Sequence, residues 1–352
     1  MRGTGETNTT GFSSLFSRTW RRFLGTFLST LFLVAAVVFL ARLLGSEGGR
    51  LLWQLLLDAQ PALLALAAGV NLGRYALWAA RWQWVLRPVA RVSWWAATRS
   101  LMASVFLNTL VPAARPVGGL VRARILSRLA GLPSGPIYGG ALIDQFGYSL
   151  VSLLLGALCL PWAFLPETAP RSHRRPLLLG ALLIILFGTL LLSRRKTRHQ
   201  LAGWMRRRLP HAADTVKGAV EAARILLGRG TTFLFLALGS ATVWFANAIV
   251  LWIAGKATGA DFSLAAAAAA WALGSLAGAV TGTPGGAGTT EAAAMLPLTT
   301  QGVPSAEALA AILVARGLHY GSAILIGGLC FLSRPASFRG SERVPLLRPP
   351  GS

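Results

Sequence analysis

Four charged residues stand at or beside membrane depth in an otherwise apolar chain: Asp144 inside the stretch 138–160, Arg316 inside 306–332, and Arg122 and Glu291 next to two clusters of Pro and Gly. A carboxylate held in hydrocarbon is costly, so Asp144 and Glu291 are expected to face the protein interior and to find cationic partners. Arg122 and Arg316 are the natural ones. Two roles are open to such groups. A static ion pair would fix helix register and nothing more. Alternatively, the charges bind a polar head group or couple its movement to protons.

The first cluster reads Asn108-Thr-Leu-Val-Pro112-Ala-Ala-Arg-Pro116-Val-Gly118-Gly119-Leu-Val-Arg122, and the second Gly282-Thr-Pro284-Gly285-Gly286-Ala-Gly288-Thr-Thr-Glu291. Backbone freed by Pro and Gly cannot face lipid; it is buried in protein or lines a wet cavity. Paired interruptions in two halves of a membrane protein point to a site for a translocated substrate. The Gly pairs permit close approach either to a ligand or to a neighbouring helix of a tight hairpin. A helix starting after Gly286 would aim its N-terminal amides at the break, a favourable place for a lipid phosphate. Neither cluster is a nucleotide-binding loop, since the second lacks the Lys-Ser/Thr ending and neither follows a strand.

These features require a membrane scaffold, and the composition supplies one. Hydrophobic residues make up 54% of the 352 and charged residues 13%, where a soluble domain carries about 25% charged residues. The mean hydropathy is +0.58. The formal net charge of +23 is nearly all Arg. It fits cytoplasmic loops that follow the positive-inside rule and touch anionic lipid, rather than a nucleic-acid-binding surface. Cys159 and Cys330 lie in apolar runs and imply no disulfide framework. The four His residues show no metal-ligand spacing, so neither a metal nor a cofactor is expected. Trp78, Trp82, Trp84, Trp94 and Trp95 read as an interfacial aromatic belt. The Ala run 265–270 reads as a close-packing helix face.

The expected fold is all-α: a polytopic helical membrane protein of about six spans and two Pro/Gly-broken re-entrant hairpins. A span needs about 20 apolar residues, and the candidates are 23–44, 59–80, 136–160, 176–192, 232–255 and 306–332. Residues 1–22 form a basic arm, 23–333 the membrane domain and 334–352 a disordered tail, both ends being cytoplasmic. Loop 45–58 suits the outside, and Arg81, Arg87 and Arg91 mark a return to the inside. Loop 193–230 carries ten basic residues against Asp214 and Glu221, which fixes it in the cytoplasm. Counting from it, 93–135 begins and ends inside, while 264–303 begins and ends outside. The order span, hairpin, span thus occurs twice in opposite orientation, the signature of an inverted repeat.

The residues Arg81-Trp82, Asn108…Pro112…Gly118-Gly119…Arg122 with Leu126, Asp144, Pro284-Gly285-Gly286…Glu291, Gly302-Val303-Pro304 and Arg316…Tyr320 resemble, in order and spacing, the transmembrane region of lysylphosphatidylglycerol synthases, a flippase-like membrane family. The resemblance spans about residues 60–330. It implies a protein of the bacterial inner membrane that moves an aminoacylated phospholipid between leaflets. In the best-understood members a cytosolic aminoacyl-transferase domain follows, so synthesis of the lipid is not expected on a chain ending at Ser352. This chain has Leu120 where the family often has an acid, and Gln145 where it often has Arg. Polyprenyl-linked sugars therefore stand beside lysyl-lipid as substrates.

Breaks, charges and resemblance together give the candidate head-group site: Asn108, Pro112, Gly118, Gly119, Arg122, Asp144, Pro284, Gly285, Gly286, Glu291 and Arg316. The expected partners are anionic or aminoacylated membrane lipids and a separate lipid-modifying enzyme, with no nucleic acid. No catalytic constellation is visible. Two competing functions are a membrane enzyme acting on a lipid head group, which would need a nucleophile or metal near the interface, and a non-transporting scaffold that regulates an enzyme.

Overall fold

The computed structural model of the chain describes residues 47–110, 115–164, 230–281 and 286–333, with Glu221, 224–226 and Gly228. The expected spans 23–44 and 176–192, most of the basic loop 193–230, the N-terminal arm and the tail 334–352 lie outside the described residues. Residues 1–57 and 58–352 form two compact units. The described part of the first is helix α1 (Glu47–Leu57). A loop was expected here, but Leu51, Leu52 and Leu55 to Leu57 are good helix formers and the segment holds no Pro.

The described helices of the second unit are α2 (Pro61–Leu86), α3 (Trp94–Leu110), α4 (Arg115–Ala130), α5 (Ser134–Phe164), α6 (Gly230–Ala257), α7 (Leu264–Thr281), α8 (Thr289–Thr300) and α9 (Ser305–Ser322). A π-helical turn (Ala323–Gly327) carries α9 into the short α10 (Gly328–Leu332). Among the described residues four helical segments are long and apolar enough to cross a membrane: Pro61–Leu86, Ser134–Cys159, Gly230–Ala257 and Ser305–Leu332. They match four of the six expected spans. The other two pairs are shorter, with 17 and 16 residues in α3 and α4 and 18 and 12 in α7 and α8. All are shorter than the typical span of about 20 residues, and α4 and α8 are too short to cross. Each pair packs on itself as a helical hairpin.

The two halves repeat one packing scheme. In the first, α2 packs on α3, α3 on α4, α4 on α5, and α5 back on α2; in the second, α6, α7, α8 and α9 do the same. Across the halves α5 packs on α6 while α9 packs on α2. The equivalent first helices, α2 and α6, run antiparallel. Gln60 donates its N–H to the Ala257 carbonyl at 2.9 Å, Arg81 reaches Ser240, and Trp84 stacks on Phe235. Successive positions of α2 therefore meet earlier positions of α6. The repeat is inverted, as the loop charges require.

Packing explains two departures from the sequence reading. Helix α2 runs six residues past the expected end, so Arg81 belongs to a span and not to a cytoplasmic loop. Its charge is met by Asp144 of α5 at 2.9 Å, which removes the reason to leave the membrane. Trp82 likewise is fully enclosed and packs in the core with Leu86, Leu126 and Ile137. The belt description suits Trp95, which is exposed. The Ala run behaves as expected: Ala266 to Ala270 are all buried, and α7 packs closely against α5, α6 and α8.

Candidate functional site

Three groups of polar side chains lie among these helices. The first surrounds Asp144. Helix α5 carries it inward, where Oδ2 accepts from Arg122 Nη2 of α4 at 2.8 Å and Oδ1 pairs with Arg81 Nε of α2 at 2.9 Å. Arg81 also donates to Ser240 Oγ at 2.7 Å. The Arg122 guanidinium lies over the Trp82 ring, 4.1 Å from its centre. Gly239 makes room for the Arg81 stem: a Cβ there would stand 3.0 Å from the Arg81 Cγ and Cδ. All three ionic groups are buried. The cluster ties α2, α4 and α5 to α6.

The second group forms at the other hairpin. The break leads into α8 through Gly286 and Gly288, both at positive φ (73° and 82°). A Cβ on Gly286 would stand 2.4 Å from Thr290 Oγ1 and 2.9 Å from the Gly278 Cα. Its glycine is thus required by close packing of α7 on α8 within the hairpin. Glu291 follows in the first turn of α8, where the helix dipole favours a carboxylate. The N-terminus of α8 is therefore served by the chain's own anion.

Glu291 Oε1 pairs with Arg316 Nε of α9 at 2.7 Å, and Arg316 also donates to the Tyr320 hydroxyl. Oε2 of Glu291 has no hydrogen-bond partner among the described residues. The two side chains retain 16% and 11% exposure, against 1% and 2% for Asp144 and Arg122. The second pair thus borders accessible space, and the first is sealed. Both join the second helix of a hairpin to the span that follows, with the sign reversed: cation on α4 and anion on α5, anion on α8 and cation on α9.

The third group went unnoticed in the sequence. Arg74 and Asn71 of α2 face His319 and Ser322 of α9. Arg74 Nη2 donates to Asn71 Oδ1 at 2.8 Å and to His319 Nδ1 at 2.9 Å, with its guanidinium 4.0 Å from the centre of the Tyr75 ring. The Tyr75 hydroxyl also meets His319 Nδ1, at 3.2 Å. Asn71 Nδ2 donates to Ser322 Oγ at 2.9 Å and to the Leu318 carbonyl at 3.1 Å. The available signal was a cation midway along an apolar span, and the reasoning applied to the acids covers it equally.

The remaining expected residues divide as follows. Asn108 lies in the last turn of α3 with a buried Oδ1 that finds no partner among the described residues. Gly118 and Gly119 fall in the first turns of α4, and a Cβ on Gly119 would make only ordinary contact, 3.9 Å from the Ala141 carbonyl. Pro112, Pro284 and Gly285 lie outside the described residues. Cys159 and Cys330 are free. Among the described residues no group of three His, Cys, Asp or Glu is placed to hold a metal.

No curated protein matches the chain. Residues 12–327 match the family model described as the lysylphosphatidylglycerol synthase TM region. That match takes in both hairpins, both ion-paired groups and the Arg74 cluster, and the chain belongs to the lysylphosphatidylglycerol synthase transmembrane-region family.

Proposed function

We propose that this chain binds a polar lipid and carries its head group between the leaflets of a bacterial cytoplasmic membrane, both termini being cytoplasmic. The observation behind the proposal is the half-open Glu291–Arg316 pair at the second hairpin, where one carboxylate oxygen is ion-paired with Arg316 and the other has no hydrogen-bond partner among the described residues. A buried acceptor left over in this way suits the ammonium or hydroxyl of a head group. The inverted repeat gives the site its setting, since such repeats place substrate where broken helices of the two halves meet. The chain carries lipid rather than transforming it. An anionic or aminoacylated phospholipid fits, supplied by a separate enzyme.

The test is reconstitution of the purified protein in liposomes holding a fluorescent phospholipid, with dithionite added outside. Wild-type protein should expose the inner-leaflet label to bleaching. Glu291→Gln should slow this strongly while leaving the folded protein intact, because Gln keeps the shape and loses the charge. Bleaching no greater than in protein-free liposomes, or a stable Glu291→Gln variant that moves lipid at the wild-type rate, would refute the proposal.

A further inference from the structure

Arg74 is 2% exposed and lies midway along α2, against the middle of the segment formed by α9, the π turn and α10. A cation at the centre of a span is normally offset by a carboxylate or by carbonyl groups. The other arginines paired within the helix bundle obey this: Arg81 and Arg122 share Asp144, and Arg316 has Glu291. Arg74 has no carboxylate among the described residues. Its acceptors are the amide of Asn71 and a ring nitrogen of His319. Its Nε is buried without a hydrogen-bond partner among the described residues.

Helix clamping does not account for the charge. Asn71 already bonds Ser322 and the Leu318 carbonyl, and Tyr75 already meets His319, so neutral groups join α2 to α9. Moreover, a guanidinium only donates, so His319 Nδ1 must accept in its bond to Arg74. The imidazole therefore brings no negative charge. The nearby Asp144 cluster adds to the imbalance, since two arginines there share one carboxylate. Positive charge thus exceeds negative along the inner face of α2.

We infer that Arg74, flanked by Asn71, Tyr75 and His319, is a binding site for a phosphate-type anion. Under the lipid-carrying reading above, on which this assignment rests, it takes the phosphate of the same head group whose donor end meets Glu291. His319 and Arg316 are three residues apart on α9, a rise of about 4.5 Å, so one helix presents both sites to one ligand. His319, Tyr320 and Ser322 are only half-buried, which gives the anion a way in beside the enclosed guanidinium. The π turn begins directly after Ser322, and such turns are frequent at functional sites.

The experiment uses the full chain in non-ionic detergent, titrated with dioctanoyl phosphatidylglycerol, with dioctanoylglycerol (the same tails without phosphate) and with inorganic phosphate. Arg74→Gln should weaken phosphatidylglycerol binding about tenfold or more, the loss expected for a charge-assisted bond, and leave dioctanoylglycerol unchanged. Arg74-dependent binding of inorganic phosphate without phosphatidylglycerol binding keeps the anion site and assigns it a free phosphate. Equal loss for both lipids, or no loss for either, overturns the assignment. Should Arg74→Gln fail to fold, Arg74→Lys replaces it: losing the planar fork should lower phosphatidylglycerol affinity alone, and unchanged affinity overturns the site. Binding is read without movement. Wild-type protein that holds phosphatidylglycerol through Arg74 but moves no lipid would sink the carrier proposal only. One that moves lipid with affinity indifferent to position 74 would sink only the anion site.

Discussion

Replacing Asp144 by Asn separates the two ion-paired groups most sharply. The carboxylate is 1% exposed and serves two guanidinium groups, at 2.9 and 2.8 Å. Asn keeps an acceptor and nearly the same volume but removes the only negative charge of the cluster among the described residues. Arg81 and Arg122 would then face each other in a sealed interior. Breaking a buried pair by removing one partner costs about 3–5 kcal/mol. At about 2–4 °C per kcal/mol for a chain of moderate size, the midpoint should fall on the order of 10 °C. Thermal melts in detergent measure this directly. Removing one stranded cation as well, in Asp144→Asn/Arg122→Gln, should recover about 1–3 kcal/mol through the coupling of neighbours. The half-open Glu291–Arg316 pair should behave differently, with Glu291→Gln affecting lipid movement far more than the melt. An Asp144→Asn protein that melts with the wild type, and a double variant no better than the single, would refute the account of a sealed structural cluster.

Two further outcomes follow from the hairpins. With the native cysteines replaced, a cysteine at exposed Arg124 should resist an impermeant reagent added outside and one at exposed Ser305 should react; the reverse pattern would invert the orientation drawn from loop charge. Gly286→Ala should destabilise the protein by about 1–3 kcal/mol, because its φ of 73° disfavours a side chain and the new Cβ would press on Thr290 and Gly278. A melt equal to the wild type would show that the α7–α8 packing has room to spare.

The inverted repeat was legible because it is written in loop charge and in breaks, which need no knowledge of which helices touch. The second hairpin was expected to open at 264, and α7 begins there because a polar turn precedes it. Pairing was legible in type, and Arg122 and Arg316 do hold the two acids. Burial was harder to see. Arg81 looked like a loop cation because its carboxylate comes from α5, far along the chain. Trp82 looked interfacial because the arginine stacked on it comes from α4. The Arg74 cluster joins residues 245 apart, and no local pattern announces a partner at that range. Gly286 was expected to matter for close approach, and the structure identifies the neighbour as the hairpin's own helix.

The two halves differ in how many charges they bury, and that difference bears on mechanism. Helix α2 brings Arg74 and Arg81 inside, whereas its repeat-mate α6 carries a single charged residue, Lys256, in its last turn, where it pairs with exposed Asp261. Arg81 completes the Asp144 cluster and closes it. Helix α6 supplies no such third member, and Glu291 and Arg316 remain half-open. A symmetric repeat would have made two equal pairs. Here one pair is locked by an extra cation, and the other keeps an oxygen with no hydrogen-bond partner among the described residues. The locked cluster joins α2, α4, α5 and α6 into a firm body, and the open pair sits on α8 and α9. Under the proposed lipid-carrying function, a head group passing the second hairpin would change the partners of Glu291 and Arg316 and leave in place the charges that hold the first half together.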